Sequence, residues 1–283
     1  MAYCMNYIAL LTLVYLVITA QLGRSTTDCE DEEPCSNSPC QNNGVCTEHG
    51  DIYRCDCEIG YGGHDCETDY LTQALVFNGK SSIKYPLPLP ELNNEFTLCL
   101  WLKSNSASTD TPGEVIFSYS RTDGAPSNTE SAGLILHVHN VYYIKFLGLP
   151  AGYPNLDYIP TDGKWHHVCL TWNSELNGRF ILYVDGDEHI LGNSGKLRVL
   201  GGGEVYLGYL PEGALHQAFP ASSMFVGELT MVNMWDKTLT KSEIENMKCN
   251  REEGNLVAWS SFFGNGVESS NIQKKMTNVC DAD

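Results

Sequence analysis

The sequence predicts a mostly β protein: a small disulfide-rich module, then an antiparallel two-sheet β-sandwich with one short helix. Three observations carry this expectation. Six cysteines fall within the 32 residues from Cys35 to Cys66. From about Ala74 onward, short stretches of alternating apolar residues are separated by turn residues. A single capping box, Thr240 with Glu243 just before Ile244 and Met247, marks one helix over Thr240 to Met247.

The chain opens on an uncharged apolar run, Ile8 to Ala20, too short to span a bilayer comfortably. It predicts a signal peptide over residues 1–20, with Gly23 or Ser25 as later cleavage options, although no Lys or Arg precedes Ile8. No later stretch reaches membrane-span length, so a secreted, extracellular protein is expected. Residues 21–34 form an acidic arm. From Asp28 to Asp69 twelve acidic residues face the single Arg54, within a chain of formal charge −18. A nucleic-acid partner is excluded on that balance, since binding one requires phosphate-neutralising Lys and Arg. Calcium, a mineral surface or a basic protein suits the charge better, and so does a merely solubilising surface.

The six cysteines are spaced by four, five, eight, one and eight residues, with Asn43-Gly44 before Cys46 and Gly60-Tyr61-Gly62-Gly63 before Cys66. Six cysteines allow fifteen pairings, and spacing alone chooses none of them. So few residues cannot bury enough apolar area to fold alone, so the sulfurs act as staples. Residues 35–66 resemble the EGF-like module. That resemblance implies Cys35–Cys46, Cys40–Cys55 and Cys57–Cys66. The family's calcium-binding subset places acids directly before the first cysteine. Here Pro34 pushes Asp31, Glu32 and Glu33 one residue too early, and Glu48 stands where Asp or Asn is expected, though Tyr53 fits.

After a linker at 67–73, the large domain at 74–283 supplies the strands. Phe96, Leu98, Leu100 and Leu102 share one face, as do Val168, Leu170 and Trp172. Phe180 to Val184 ends in the hairpin dipeptide Asp185-Gly186. Val205 to Gly208 and Leu229 to Trp235 continue the series. His167-Val168-Cys169-Leu170-Thr171-Trp172-Asn173-Ser174 matches the pentraxin signature at every fixed position. Phe96 to Trp101, Val226 to Asp236, and Gly254-Asn255-Leu256 with Trp259 extend the resemblance, the last as a closing strand. The domain therefore resembles a pentraxin, with a laminin-G-like domain of the same jelly-roll sandwich as the alternative. The resemblance implies Cys99–Cys169, which would close a 71-residue loop and stabilise the fold by about 4 kcal/mol on the chain-entropy model. Both cysteines lie opposite the leucine face; alternation leaves open which face is core.

Pentraxins resemble lectins that hold two calcium ions with oxygens from two loops. In this chain the second loop, Tyr209 to Phe225, offers Glu212 and Gln217; the first, Arg121 to Ala132, offers Asp123, Asn128 and Glu130. One carboxylate in the main loop cannot neutralise two dications. The favoured expectation is a degenerate loop on a retained scaffold, the alternative a single weak calcium site centred on Glu212. His137 and His139, two apart on a strand, could share a metal, but more commonly face solvent. No nucleophile–base set stands out, and Gly201-Gly202-Gly203 precedes a strand, not a phosphate-holding helix, so catalysis is not expected.

Cys29, Cys249 and Cys280 remain after cleavage. Cys249–Cys280 would tie down the tail and leave Cys29 as an interchain candidate linking a homo-oligomer. The function expected is extracellular recognition or adhesion of a protein, glycan or matrix ligand. A calcium-dependent pentraxin-type lectin of innate immunity and an acidic structural matrix protein associated with mineral are the alternatives.

Overall fold

In the computed structural model of the chain, the described residues are 33–92, 94–104, 114–121, 134–139, 141–146, 161–195, 199, 201–211, 224–264 and 267–280. Every contact below lies within the unit Pro34–Asp283.

The small module is two short hairpins held by sulfur. Strand β1 (Val45–His49) pairs antiparallel with β2 (Ile52–Asp56), and β3 (Tyr61–Gly62) with β4 (Thr68–Asp69). Disulfides join Cys35 to Cys46, Cys40 to Cys55 and Cys57 to Cys66. Val45, Ile52 and Ile59 stay 64%, 67% and 64% exposed, so the bridges stand in for an apolar core. The stretch at 67–73 is occupied by β4 and a 3-10 turn, Tyr70–Thr72, capped where the Asp69 carboxylate accepts from Leu71 N–H at 3.0 Å.

The large domain is a sandwich of antiparallel strands. Its strands run β5 (Gln73–Asn78), β6 (Ser82–Lys84), β7 (Glu95–Lys103), β8 (Glu114–Ser120), β9 (Leu134–His139), β10 (Val141–Phe146), β11 (Trp165–Asn173), β12 (Arg179–Val184), β13 (Asp187–Asn193), β14 (Glu204–Leu207), β15 (Val226–Trp235), β16 (Ser269–Ser270) and β17 (Gln273–Met276). One sheet is ordered β10-β9-β8-β14-β6-β16, the other β13-β12-β11-β7-β15-β5-β17.

The leucine face is the core face. Phe96, Leu98, Leu100 and Leu102 of β7 pack with Val168, Leu170 and Trp172 of β11 and, from the facing sheet, Phe117, Tyr119, Val205 and Leu207. Burying each such side chain stabilises the fold by roughly 1.5–3 kcal/mol. On the other face Cys99 and Cys169 stand directly opposite across β7 and β11 and are bonded, their Cα atoms 4.1 Å apart. A second cluster covers them: Tyr183, Trp235, Leu239, Ile244 and Met247, the last two from helix α1 (Lys241–Met247). The helix starts at a capping box, with Glu243 N–H donating to Thr240 Oγ1 and Thr240 N–H to the Glu243 carboxylate. Past its end, Cys249 is bonded to Cys280.

The β12–β13 turn at Asp185-Gly186 has φ of 56° and 96°, the left-handed pair a two-residue hairpin requires. The closing segment differs from the expected strand. Residues 254–259 make only one bridge, Val257 to Met234, and then wind into a 3-10 turn, Trp259–Phe263. The cause is Asn233, buried after a bulge in β15, whose Oδ1 accepts from both Gly254 N–H and Trp259 N–H and bends the chain away from the sheet. Strand β17, at the sheet edge beside β5, takes the closing position instead.

Candidate functional site

The outer face of the six-stranded sheet roots the two loops expected to carry oxygen ligands. Asp123, Asn128, Glu130, Glu212 and Gln217 all lie outside the described residues, as does Cys29. The loop bases are described. Because Phe117 and Tyr119 point inward, Ser118 and Ser120 point outward on β8, and Glu204 and Tyr206 do so on β14. The second loop leaves at Gly208, whose N–H bonds the Ile116 carbonyl, and folds back so that Ser118 Oγ donates to the Tyr209 carbonyl at 2.7 Å. It returns at Met224 beside Val115, and Val226 N–H donates to the buried Glu114 carboxylate at 2.9 Å.

The same face carries a charged and aromatic row. Lys84 Nζ lies 2.7 Å from Glu204, Tyr206 OH donates to Glu204 at 2.9 Å, and Tyr206 meets Tyr209 edge-on at 5.7 Å. The hydrogen bond from Lys84 holds the Glu204 carboxyl below its usual range, while burial and the Glu204 charge push the Tyr206 phenol up to about 12. A calcium ion needs six to eight oxygens. Glu204 is already committed to Lys84 and Tyr206, and among the described residues the Ser120 hydroxyl is the one fully buried side-chain oxygen without a partner. The described floor therefore cannot assemble a calcium shell without the two loops.

In the small module, Glu48 Oε1 accepts from Cys35 N–H at 3.1 Å, so that carboxylate caps its own module. His137 and His139 stand on β9, their side chains outside the description. Cys99, His167 and Cys169 cluster closely, but both sulfurs are spent in the disulfide and offer no thiolate to a metal. His167 is a core residue: burial, helped by Lys248, depresses its pKa to about 3 against a weaker opposing pull from Asp185.

The side chains that join the small module to the sandwich escaped the sequence reading. Arg251, just past α1, donates two hydrogen bonds to Asp69, Nη1 to Oδ1 at 2.9 Å and Nη2 to Oδ2 at 2.8 Å. Its guanidinium lies 4.0 Å from the Tyr61 ring centroid. The Arg251 bond holds the Asp69 carboxyl below the usual carboxylate range. Tyr70 N–H extends the β3–β4 ladder with a bond to the Gly60 carbonyl at 2.9 Å, and from the sandwich Trp259 Nε1 donates to the Tyr70 carbonyl at 2.9 Å. Arg251 and Asp69 are 182 residues apart, and no local pattern links them.

Residues 77–245 match the family described as the concanavalin A-like lectin/glucanases superfamily, of the laminin-G kind. Neuronal pentraxin-1 of Rattus norvegicus is 34% identical over 180 residues, which are 61% of this chain and 38% of that protein. The chain thus spans well under half the length of the neuronal pentraxins it matches. C-reactive protein 1.4 of Limulus polyphemus is 29% identical over 211 residues, 68% of this chain and 81% of that protein. A solved heptameric SAP-like pentraxin from Limulus polyphemus shares the fold, with TM-score 0.55 and 18% identity over 76% of this chain and 99% of that one.

Proposed function

The chain belongs to the concanavalin A-like lectin/glucanases superfamily, and from that premise we propose a secreted, pentraxin-type recognition or adhesion protein that meets its partner with two modules held as one surface. On this reading it is a binding protein and not an enzyme, which the similarity to pentraxins supports. The observation that supports the two-module reading is the Arg251 clasp: a guanidinium bonded twice to Asp69 and seated on Tyr61 ties the small module to the sandwich. The bridges Cys35–Cys46, Cys40–Cys55 and Cys57–Cys66 join first to third, second to fourth and fifth to sixth cysteine, which supports an EGF-like module at 35–66. Residues 1–20 are taken as a signal peptide and Cys29 as the link in a disulfide-bonded homo-oligomer; on a non-reducing gel, Cys29→Ser should abolish the linked species.

The partner is an extracellular protein, glycan or matrix ligand, and binding does not depend on calcium. The test is calorimetric titration of the whole secreted protein with calcium, then with phosphocholine and glycans, each repeated in chelator. Ligand capture unchanged by chelator is the expected result. Two calcium ions bound at micromolar concentration, followed by calcium-dependent phosphocholine binding, would replace this reading with the lectin one. Retention on mineral in place of any soluble ligand would replace it with the acidic matrix one.

A further inference from the structure

Residues 267–280 form a strap. They lay β16 beside β6 of one sheet and β17 beside β5 of the other, so a single segment supplies an edge strand to each sheet. The far end of the strap is fastened by the Cys249–Cys280 bridge, just past α1. We propose that this bridge is a redox latch: exchange with a dithiol opens it, and the strap then lifts from β5 and β6. The inference goes beyond the recognition reading and does not depend on which partner that reading assigns.

Three observations carry it. The first is access. Cys249 and Cys280 are both exposed, whereas the cysteines of the other four bridges are all buried or half-buried. Exchange requires a thiolate to reach a sulfur, so an exposed bridge reacts first. The second is how little else holds the strap. Every residue of β16 and β17 is exposed, and Val279 is the one fully buried side chain among the described residues 267–280. Val267 and Ile272 are half-buried against the main core. Beyond the two short ladders, Lys84 N–H donates to the Glu268 carbonyl at 2.9 Å, Ser81 Oγ to the Asn271 carbonyl at 2.9 Å, and Thr277 N–H to the Thr72 carbonyl at 2.8 Å. A closed bridge between residues 31 apart disfavours the lifted strap by up to roughly 400-fold on the chain-entropy model. Opening it turns a loop fixed at both ends into a tail.

The third observation is what the strap covers. Strand β5 is uncharged, with Ala74, Leu75, Val76 and Phe77 in succession, while β17 carries Lys274 and Lys275. A bare apolar strand at a sheet edge invites pairing with another chain, and lysines on the outermost strand discourage it. The strap lays a charged strand over an apolar one, and the latch sets whether β5 is paired or open. The chemistry balances on the dithiol. One of its thiolates attacks Cys280 Sγ, the bond to Cys249 breaks, and Cys249 leaves as a thiolate that takes up a proton. The second thiol of the reagent then attacks the mixed disulfide, which frees Cys280 as a thiol and leaves the reagent oxidised to its own disulfide. Two electrons and two protons pass to the protein, and reoxidation restores the bridge.

The experiment treats the whole native protein with rising dithiothreitol, alkylates the freed thiols and maps them by mass, with native-state hydrogen exchange read on the same samples. Cys249 and Cys280 should be alkylated ahead of the other four bridges, and at a dose about tenfold or more below that needed for Cys99 and Cys169. At that dose, exchange at Thr277 N–H and Lys84 N–H should quicken by roughly tenfold or more, while the amides of β7 and β11 stay as protected as before. The double variant Cys249→Ser/Cys280→Ser should show the same pattern without reductant. The dithiothreitol arm is read on the unmodified chain and so stands whether or not that variant folds. Alkylation of Cys249 and Cys280 no earlier than the other bridges would overturn the latch. So would exchange at Thr277 changed by less than threefold once both thiols are free, or equal quickening throughout β7 and β11.

Discussion

Replacing Arg251 should loosen the small module from the sandwich without unfolding either. Arg251 and Asp69 side chains are 36% and 29% exposed, so their pairing lies between a surface ion pair, worth under about 1 kcal/mol, and a charged hydrogen bond shielded from water, worth roughly 1.5–3 kcal/mol. Taking about 2 kcal/mol for the two-pronged bond and about 1 kcal/mol for the Tyr61 face gives about 3 kcal/mol for Arg251→Ala. At 1.4 kcal/mol per decade, the seam should then open roughly 100 times more often. The reporter is the Trp259 indole N–H, which donates from the sandwich to the Tyr70 carbonyl just past β4, followed by native-state hydrogen exchange. Arg251→Lys keeps the charge but loses the fork, and should fall midway. Asp69→Asn retains an oxygen for the Leu71 cap, and its effect should not add to that of Arg251→Ala. Exchange at the Trp259 indole N–H changed by less than threefold in Arg251→Ala would refute the clasp.

Three further outcomes are expected. The Cys99→Ala/Cys169→Ala pair reopens a 71-residue loop, costing about 4 kcal/mol and lowering the Tm by about 10 °C in calorimetry; a change under about 2 °C would contradict the entropic account. Thr240→Ala removes the hydroxyl of the capping box and should cost about 1 kcal/mol in urea unfolding, with an unchanged m-value. His167 has its folded pKa depressed to about 3, so the unfolded chain binds the extra proton between pH 6.5 and 3. Stability should therefore fall with pH through that window by up to about 1.4 kcal/mol per unit, and the slope from pH 7 to 5 should flatten in His167→Gln; parallel curves would exclude His167 as the cause.

Much of the architecture was legible because strands and caps are local. The period-two apolar pattern at Phe96 to Leu102, the Asp185-Gly186 dipeptide and the Thr240/Glu243 box each fix backbone geometry within a few residues. The Gly254–Trp259 segment was misread as a strand for the converse reason. Its path is set by the buried Asn233 amide and the Met234 backbone, some twenty residues away, which no pattern within the segment announces.

By itself the sequence determined the class of the molecule: sulfur for the module too small to bury a core, alternation for the sandwich, one short helix, and a charge balance unsuited to nucleic acid. Which strand face turned inward was decided only when the two sheets packed, because alternation is symmetric until a second layer covers one side. The same holds for the Arg251–Asp69–Tyr61 clasp. Its side chains come from opposite ends of the chain, and a contact across 182 residues exists only once the fold has closed the distance.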